Sequence, residues 1–188
     1  MSITSLNIYA ELAFAAYGTF PGGGLPSALR SAGFASAQAE RFALDWRVLA
    51  SYEHSNEAYA TYDPVTAAFA GLQTNTNGLA VAVLQNLHTG ERVLAIRGTD
   101  DPLDVATDVV SVALLGSPKY QGQYQSLKQK VDEWVAAGVL PSRFSVTGHS
   151  LGGFLATGLA LEFPQRIEHA YLFNAPGLGG LTGRGALD

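Results

Sequence analysis

The chain has no cysteine, so a disulfide, a thiolate metal site and a cysteine nucleophile are all excluded. Charge is scarce as well: Asp, Glu, Lys and Arg make up 14% of the residues, against roughly 25% in an average soluble domain. Such a shortage points to unusually buried elements, to an apolar functional surface, or to a piece of something larger. Basic residues are the minority, 11 against 16 acidic ones, for a net charge of −5. That balance argues against nucleic acid or an anionic membrane as an electrostatic partner. No apolar run approaches the ~18 residues of a membrane-spanning helix, so no transmembrane segment is expected. The first residues, Met1-Ser2-Ile3-Thr4-Ser5-Leu6, lack a basic region followed by an apolar stretch and do not read as a cleavable secretory signal.

What is present is apolar. Hydrophobic residues account for 47% of the 188, which excludes disorder as the default state. The length suits a single domain, 1–188, able to bury roughly 70% of the surface that its unfolded chain exposes. Leu6, Ile8, Tyr9, Leu12, Ala13 and Ala16 predict a first helix over 6–16, stopped at Tyr17-Gly18. Residues 35–76 read as mixed short elements without clear boundaries. Residues 79–85 and 92–97 read as the two strands of a hairpin. After Arg97-Gly98-Thr99 the period changes: Asp101 as N-cap, Pro102 at the first helical position and Asp104 in the first turn predict a helix ending near Gly116. Tyr120, Tyr124, Leu127, Val131 and Trp134 write one continuous face of a second helix, closed by Gly138. A strand over 143–147, a helix over 151–163 and a strand over 169–174 then form the right-handed crossover unit of a parallel sheet. The glycine-rich run from Gly177 to Gly185 has no Lys-Ser or Lys-Thr after it, so it reads as a flexible connection and not as a phosphate loop.

Gly148-His149-Ser150-Leu151-Gly152 matches G-x-S-x-G. The bare pattern arises readily by chance in a glycine-rich chain; its position between an apolar strand and an apolar helix gives it meaning, because that is where a nucleophile elbow must lie. The turn is tight enough to strain its serine, so small residues are demanded two before and two after, here Gly148 and Gly152. Gly153 lets the following helix approach the sheet. With a helix starting right after Ser150, unpaired N–H groups and the positive dipole end face any developing oxyanion. In an elbow of this kind one oxyanion donor is the residue after the nucleophile and the other comes from an earlier strand-to-helix loop. Leu151 and Thr99 stand at those places, although the residues alone leave Thr99 equally readable as an ordinary loop threonine.

A-I-R-G-T, the acidic helix that follows with Asp104 and Asp108, V-T-G-H-S-L-G-G and F-N-A-P-G together resemble the class three (fungal-type) lipase family, and its bacterial branch above all. The resemblance covers roughly residues 6–180. It implies an α/β-hydrolase fold, a three-layer sandwich around a mostly parallel sheet, and hydrolysis of acylglycerol or phospholipid esters, with Ser150 as nucleophile and Thr99 and Leu151 forming the oxyanion hole. No cofactor and no metal are needed for such chemistry; the expected ligand is a lipid ester. It also carries an expectation of export without a cleavable N-terminal signal. The family often has tryptophan after the first acidic residue of the post-R-G-T helix; here that position is Val105, a departure that touches helix packing and not the catalytic assignment.

The remaining titratable residues fit catalysis less well. His149 points away from its neighbour Ser150 and reads as support or substrate contact, not as base. His54 and His88 read as surface residues, and His169 opens a parallel strand at the sheet end opposite the active site. Asp104 and Asp108, four apart without His or Glu at ligand spacing, read as helix-terminus and packing residues. The apolar helix over 102–116 reads equally as a lipid-facing entrance and as a buried element. Rival functions are another carboxylesterase of the same fold, or a catalytically incomplete interaction module.

Triad order in this fold is Ser, then Asp or Glu, then His. Residues 151–188 hold only Glu162, Glu168, His169 and the terminal Asp188, and none combines the right order with a scaffold to hold it. The expectation is therefore that 1–188 carries the nucleophile and oxyanion portion. The C-terminal side of the sheet would be incomplete, and the triad Asp and His would come from a C-terminal segment or a second chain.

Overall fold

A computed structural model describes residues 3–18, 20, 24–53, 58–63, 68–74, 78–98 and 118–176. For 58–63, 68–74 and 118–121 the description is of backbone only. The expected helix over 102–116 with its Asp101 cap, Asp104 and Asp108, together with Thr99, His54 and the glycine-rich tail, lies outside the described residues.

The elements follow in the order α1 (Ile3–Ala15), α2 (Leu25–Ser31), α3 (Ser36–Asp45), β1 (Trp46–Glu53), β2 (Ala58–Asp63), β3 (Ala68–Thr74), β4 (Ala80–Asn86), β5 (Arg92–Ile96), α4 (Pro118–Ala136), β6 (Phe144–His149), α5 (Leu151–Glu162) and β7 (Ile167–Phe173). The ambiguous stretch 35–76 thus resolves into one helix and three strands. Among the described residues β2 and β3 pair only with each other, antiparallel. The other five strands form one sheet in the order β1-β4-β5-β6-β7. β4 is antiparallel to both β1 and β5, whereas β5, β6 and β7 pair in parallel. Four of the five strands therefore run one way and β4 alone is reversed.

The β4–β5 hairpin is closed by an Asx turn: Asn86 Oδ1 accepts the N–H groups of His88 and Thr89, each at 2.9 Å, and Gly90 takes φ 75°. Alternation along the central strands separates two cores. Val81, Val83, Leu94, Ile96, Phe144 and Val146 face α4 and α5, meeting Leu127, Val131, Leu155 and Leu159. Ala82, Leu84, Val93, Ala95 and Tyr171 face α1 and α3, meeting Leu12, Ala16 and Phe42. Because both faces are covered, the strands read as near-continuous apolar runs. Helices on both sides of one mostly parallel sheet make the three-layer α/β architecture expected from the sequence.

Predicted boundaries shift by a few residues. α1 begins at Ile3 and not at Leu6. β6 extends through Gly148 and His149, and β7 starts at Ile167, because the parallel ladder continues as far as Gly148↔Leu172 and His149↔Phe173. The strand thus feeds directly into the tight turn at Ser150.

Candidate active site

The C-terminal ends of β5, β6 and β7 meet at one place, where an open parallel sheet offers its binding crevice. Ser150 sits between β6 and α5 with φ 55° and ψ −125°. It is one of two described non-glycine residues with positive φ, the other being Asn174. A side-chain-bearing residue held there stores roughly 1–3 kcal/mol of strain. The glycines around it explain how the turn is imposed. A Cβ on Gly148 would collide with the backbone of Gly152, and a Cβ on Gly152 would collide with the carbonyl of Ile96 on β5. A Cβ on Gly153 would lie 2.8 Å from the Cβ of Ala175 and 3.1 Å from the Gly148 oxygen. Helix α5 is thereby pressed onto the strand ends with no room for side chains at the contact. The Ser150 N–H donates to Phe173 O at 2.8 Å, tying the turn to the end of β7. Its hydroxyl makes no hydrogen bond with the described residues.

Leu151 opens α5 and is buried, so its N–H belongs to the first turn, where helical N–H groups lack intrahelical partners. Gly98, the residue before Thr99, approaches the elbow closely: a Cβ there would lie 2.6 Å from His149 O and 3.2 Å from Ser150 Cβ. Thr99 itself lies outside the described residues.

Both ring nitrogens of His149 have partners other than the serine. Its Nδ1 lies 3.1 Å from Tyr17 Oη and its Nε2 3.4 Å from Asn174 Nδ2. With the Asn174 amide assigned in that orientation, Nε2 accepts and Nδ1–H donates to the phenol oxygen. The other histidines stand apart. His88 pairs with Asp45 at 2.9 Å beside the hairpin turn, and His169 packs against Tyr171 near the start of β7. Tyr17 and Asn174 were not singled out as site residues by sequence reasoning. Tyr17 read only as a helix stop, and Asn174 stood inside the F-N-A-P-G run without a role.

No protein-family model matches the chain, and no curated protein matches it. Solved structures do. A lipase from Rhizopus microsporus var. chinensis matches with a TM-score of 0.54 at 16% identity, over 93% of this chain and 57% of that one. A lipase from Yarrowia lipolytica gives 0.52 at 19% identity, over 90% and 57%. A Rhizomucor miehei lipase in complex with its propeptide gives 0.51 at 16%, over 91% and 50%. At these identities the likeness is one of fold: the chain has the α/β-hydrolase-like fold of fungal lipases. It spans between 50% and 57% of the length of these three.

Proposed function

We propose that this chain carries the nucleophile portion of a serine ester hydrolase acting on lipid esters, of the class three lipase type and its bacterial branch. The observation that carries the reading is Ser150, held at φ 55° between a parallel strand and a helix by glycines that admit no side chain. In this mechanism Ser150 Oγ attacks the ester carbonyl while a histidine takes its proton and an aspartate orients that histidine. The tetrahedral oxyanion rests on the N–H groups of Leu151 and Thr99. The intermediate collapses as the histidine returns its proton to the departing alcohol, and water then releases the acid from the acyl-serine by the reverse sequence. The fold shared with proteins named as lipases supports lipid esters as the substrate class. No helix among the described residues is long and apolar enough to cross a membrane. Export without a cleavable leader belongs to the same proposal.

The acid and base belong, on this reading, to polypeptide beyond these residues. None of the described histidines is hydrogen-bonded to Ser150. β7 is an outer strand of the five-stranded sheet, and Glu168, His169, Ala170 and Leu172 along it are exposed. The two helices that pack on β6 and β7 from opposite faces are apolar yet incompletely covered, with Ile3 of α1 87% and Leu161 of α5 64% exposed. An open sheet edge flanked by uncovered apolar helices suits further strands and a covering layer. Hydrolysis of a p-nitrophenyl ester by chain 1–188 beside its Ser150→Ala variant tests this division. The expected result is no Ser150-dependent multiple turnover. Robust Ser150-dependent turnover without added polypeptide would place the base among His54, His88, His149 and His169 and overturn it.

A further inference from the structure

The sheet stops bonding β5 to β6 just before the elbow at Ser150. The parallel ladder between β5 and β6 runs to Ile96↔Gly148. Beyond that pair the next N–H groups bond to the outer neighbours: Arg97 N–H donates to Ala80 O of β4 at 2.9 Å, and Ser150 N–H donates to Phe173 O of β7 at 2.8 Å. One side chain joins the two segments where the ladder has ended. Tyr17, just past the end of α1, accepts the Gly98 N–H on its phenol oxygen at 3.2 Å, and the same oxygen lies 3.1 Å from His149 Nδ1. Gly98 has no side chain to hold the two apart, since a Cβ there would lie 2.6 Å from Tyr17 Oη.

We infer that Tyr17 is a positioning residue for the nucleophile elbow: its phenol oxygen clamps Gly98, past the end of β5, to His149, the residue before Ser150, and so fixes the turn that presents Ser150 and the Leu151 N–H. The inference rests on reading Ser150 as the nucleophile. An oxyanion hole works only when its donors lie about 2.7–3.1 Å from the developing charge. A tolerance of a few tenths of an ångström therefore has to be enforced at the turn that presents the Leu151 N–H, just past the end of the β5–β6 ladder. Tyr17 acts through Gly98 and His149, on either side of its phenol oxygen. Asn174, at φ 49°, holds the far edge of the same imidazole and fixes the ring plane that Tyr17 meets.

The first measurement needs no variant. Gly98 lies past the end of β5, yet its amide should exchange with solvent at least tenfold more slowly than an open loop amide, as read by NMR on chain 1–188. Exchange at the loop rate would overturn the inference. In Tyr17→Phe, which keeps the ring and loses the oxygen, Gly98 protection should fall about tenfold and the His149 ring nitrogen shifts should move, while the amide of Leu94 within β5 stays protected. Unchanged Gly98 and His149 signals in that variant would likewise overturn it. In the unit completed by acid and base, Tyr17→Phe should lower kcat at least tenfold and leave KM within about twofold, the pattern of an interaction felt in the transition state. An unaltered kcat in a unit that still requires Ser150 would remove Tyr17 from the site and leave the nucleophile assignment standing. Activity that survives Ser150→Ala would instead remove the nucleophile assignment itself.

Discussion

Replacing Gly152 with alanine adds one methyl group, and the geometry around the elbow makes its cost calculable. The new Cβ would meet the Ile96 carbonyl, with the Ile96 carbon at 2.8 Å and the Arg97 carbonyl carbon at 2.9 Å. These are backbone atoms of a strand whose side chains at Val93, Leu94, Ala95 and Ile96 are fully buried, so β5 cannot yield. Helix α5 must lift from the sheet instead, opening the contact between Leu155, Leu159 and the core beneath them. Overpacking of this kind costs about 1–3 kcal/mol, and a rigid backbone obstacle puts Gly152→Ala at the upper end, about 3 kcal/mol. For a chain of this length that is a fall in Tm of roughly 6–12 °C. Gly122 in α4 is the control, because a Cβ there has nothing within 4 Å. Gly122→Ala should stabilise by about 0.5–1 kcal/mol through helix propensity alone. Paired urea unfolding curves for the two variants read both signs in one experiment. Shifts in the same direction, or a Gly152→Ala curve within about 0.5 kcal/mol of the parent, would refute the close approach of α5 to β5.

Ser150→Gly should remove hydrolysis in the completed unit and at the same time stabilise the chain by about 1 kcal/mol. It relieves roughly 1–3 kcal/mol of dihedral strain against a glycine entropy cost of about 0.5–1 kcal/mol; a destabilised variant would mean that the turn is not strained. Tyr9 should make the fold sensitive to alkali. Burial and its hydrogen bond to Glu91 at 2.5 Å push its ionisation well above the ordinary phenol value. The folded state keeps a proton that the unfolded chain loses near pH ~10, so this contribution is full below that pH and declines above it by about 1.4 kcal/mol per pH unit. Tyr9→Phe should show a shallower loss of stability between about pH 9 and 11, and parallel profiles would contradict the assignment.

How far the sequence could be read depended on how local the cause of each feature is. The hairpin, α4, α5 and β7 were legible because buried positions recur at fixed spacing, as Leu127, Val131 and Trp134 do along α4. The elbow was legible because steric demand there falls on residues within four positions of each other, from Gly148 to Gly152. Within 35–76, β2 and β3 pair locally with each other, whereas β1 was not legible because it pairs across long separations, Trp46 with Asn86 and Glu53 with Ala80. Tyr17 was invisible for the same reason: its partners are Gly98 and His149, 81 and 132 residues away, and nothing around Tyr17 in the chain marks it. Thr99 was named from the pattern of its neighbours, and the described residues reach only to Gly98, where an added Cβ would lie 3.2 Å from Ser150 Cβ.

The central claim is that Ser150 is the nucleophile, and covalent labelling reads it most directly. The chain is combined with the polypeptide that supplies acid and base, treated with a fluorophosphonate, digested and mapped by mass spectrometry. The account predicts one modified residue, Ser150, with labelling abolished in a folded Ser150→Ala variant. A label on a different serine, or labelling that persists in Ser150→Ala, would contradict it.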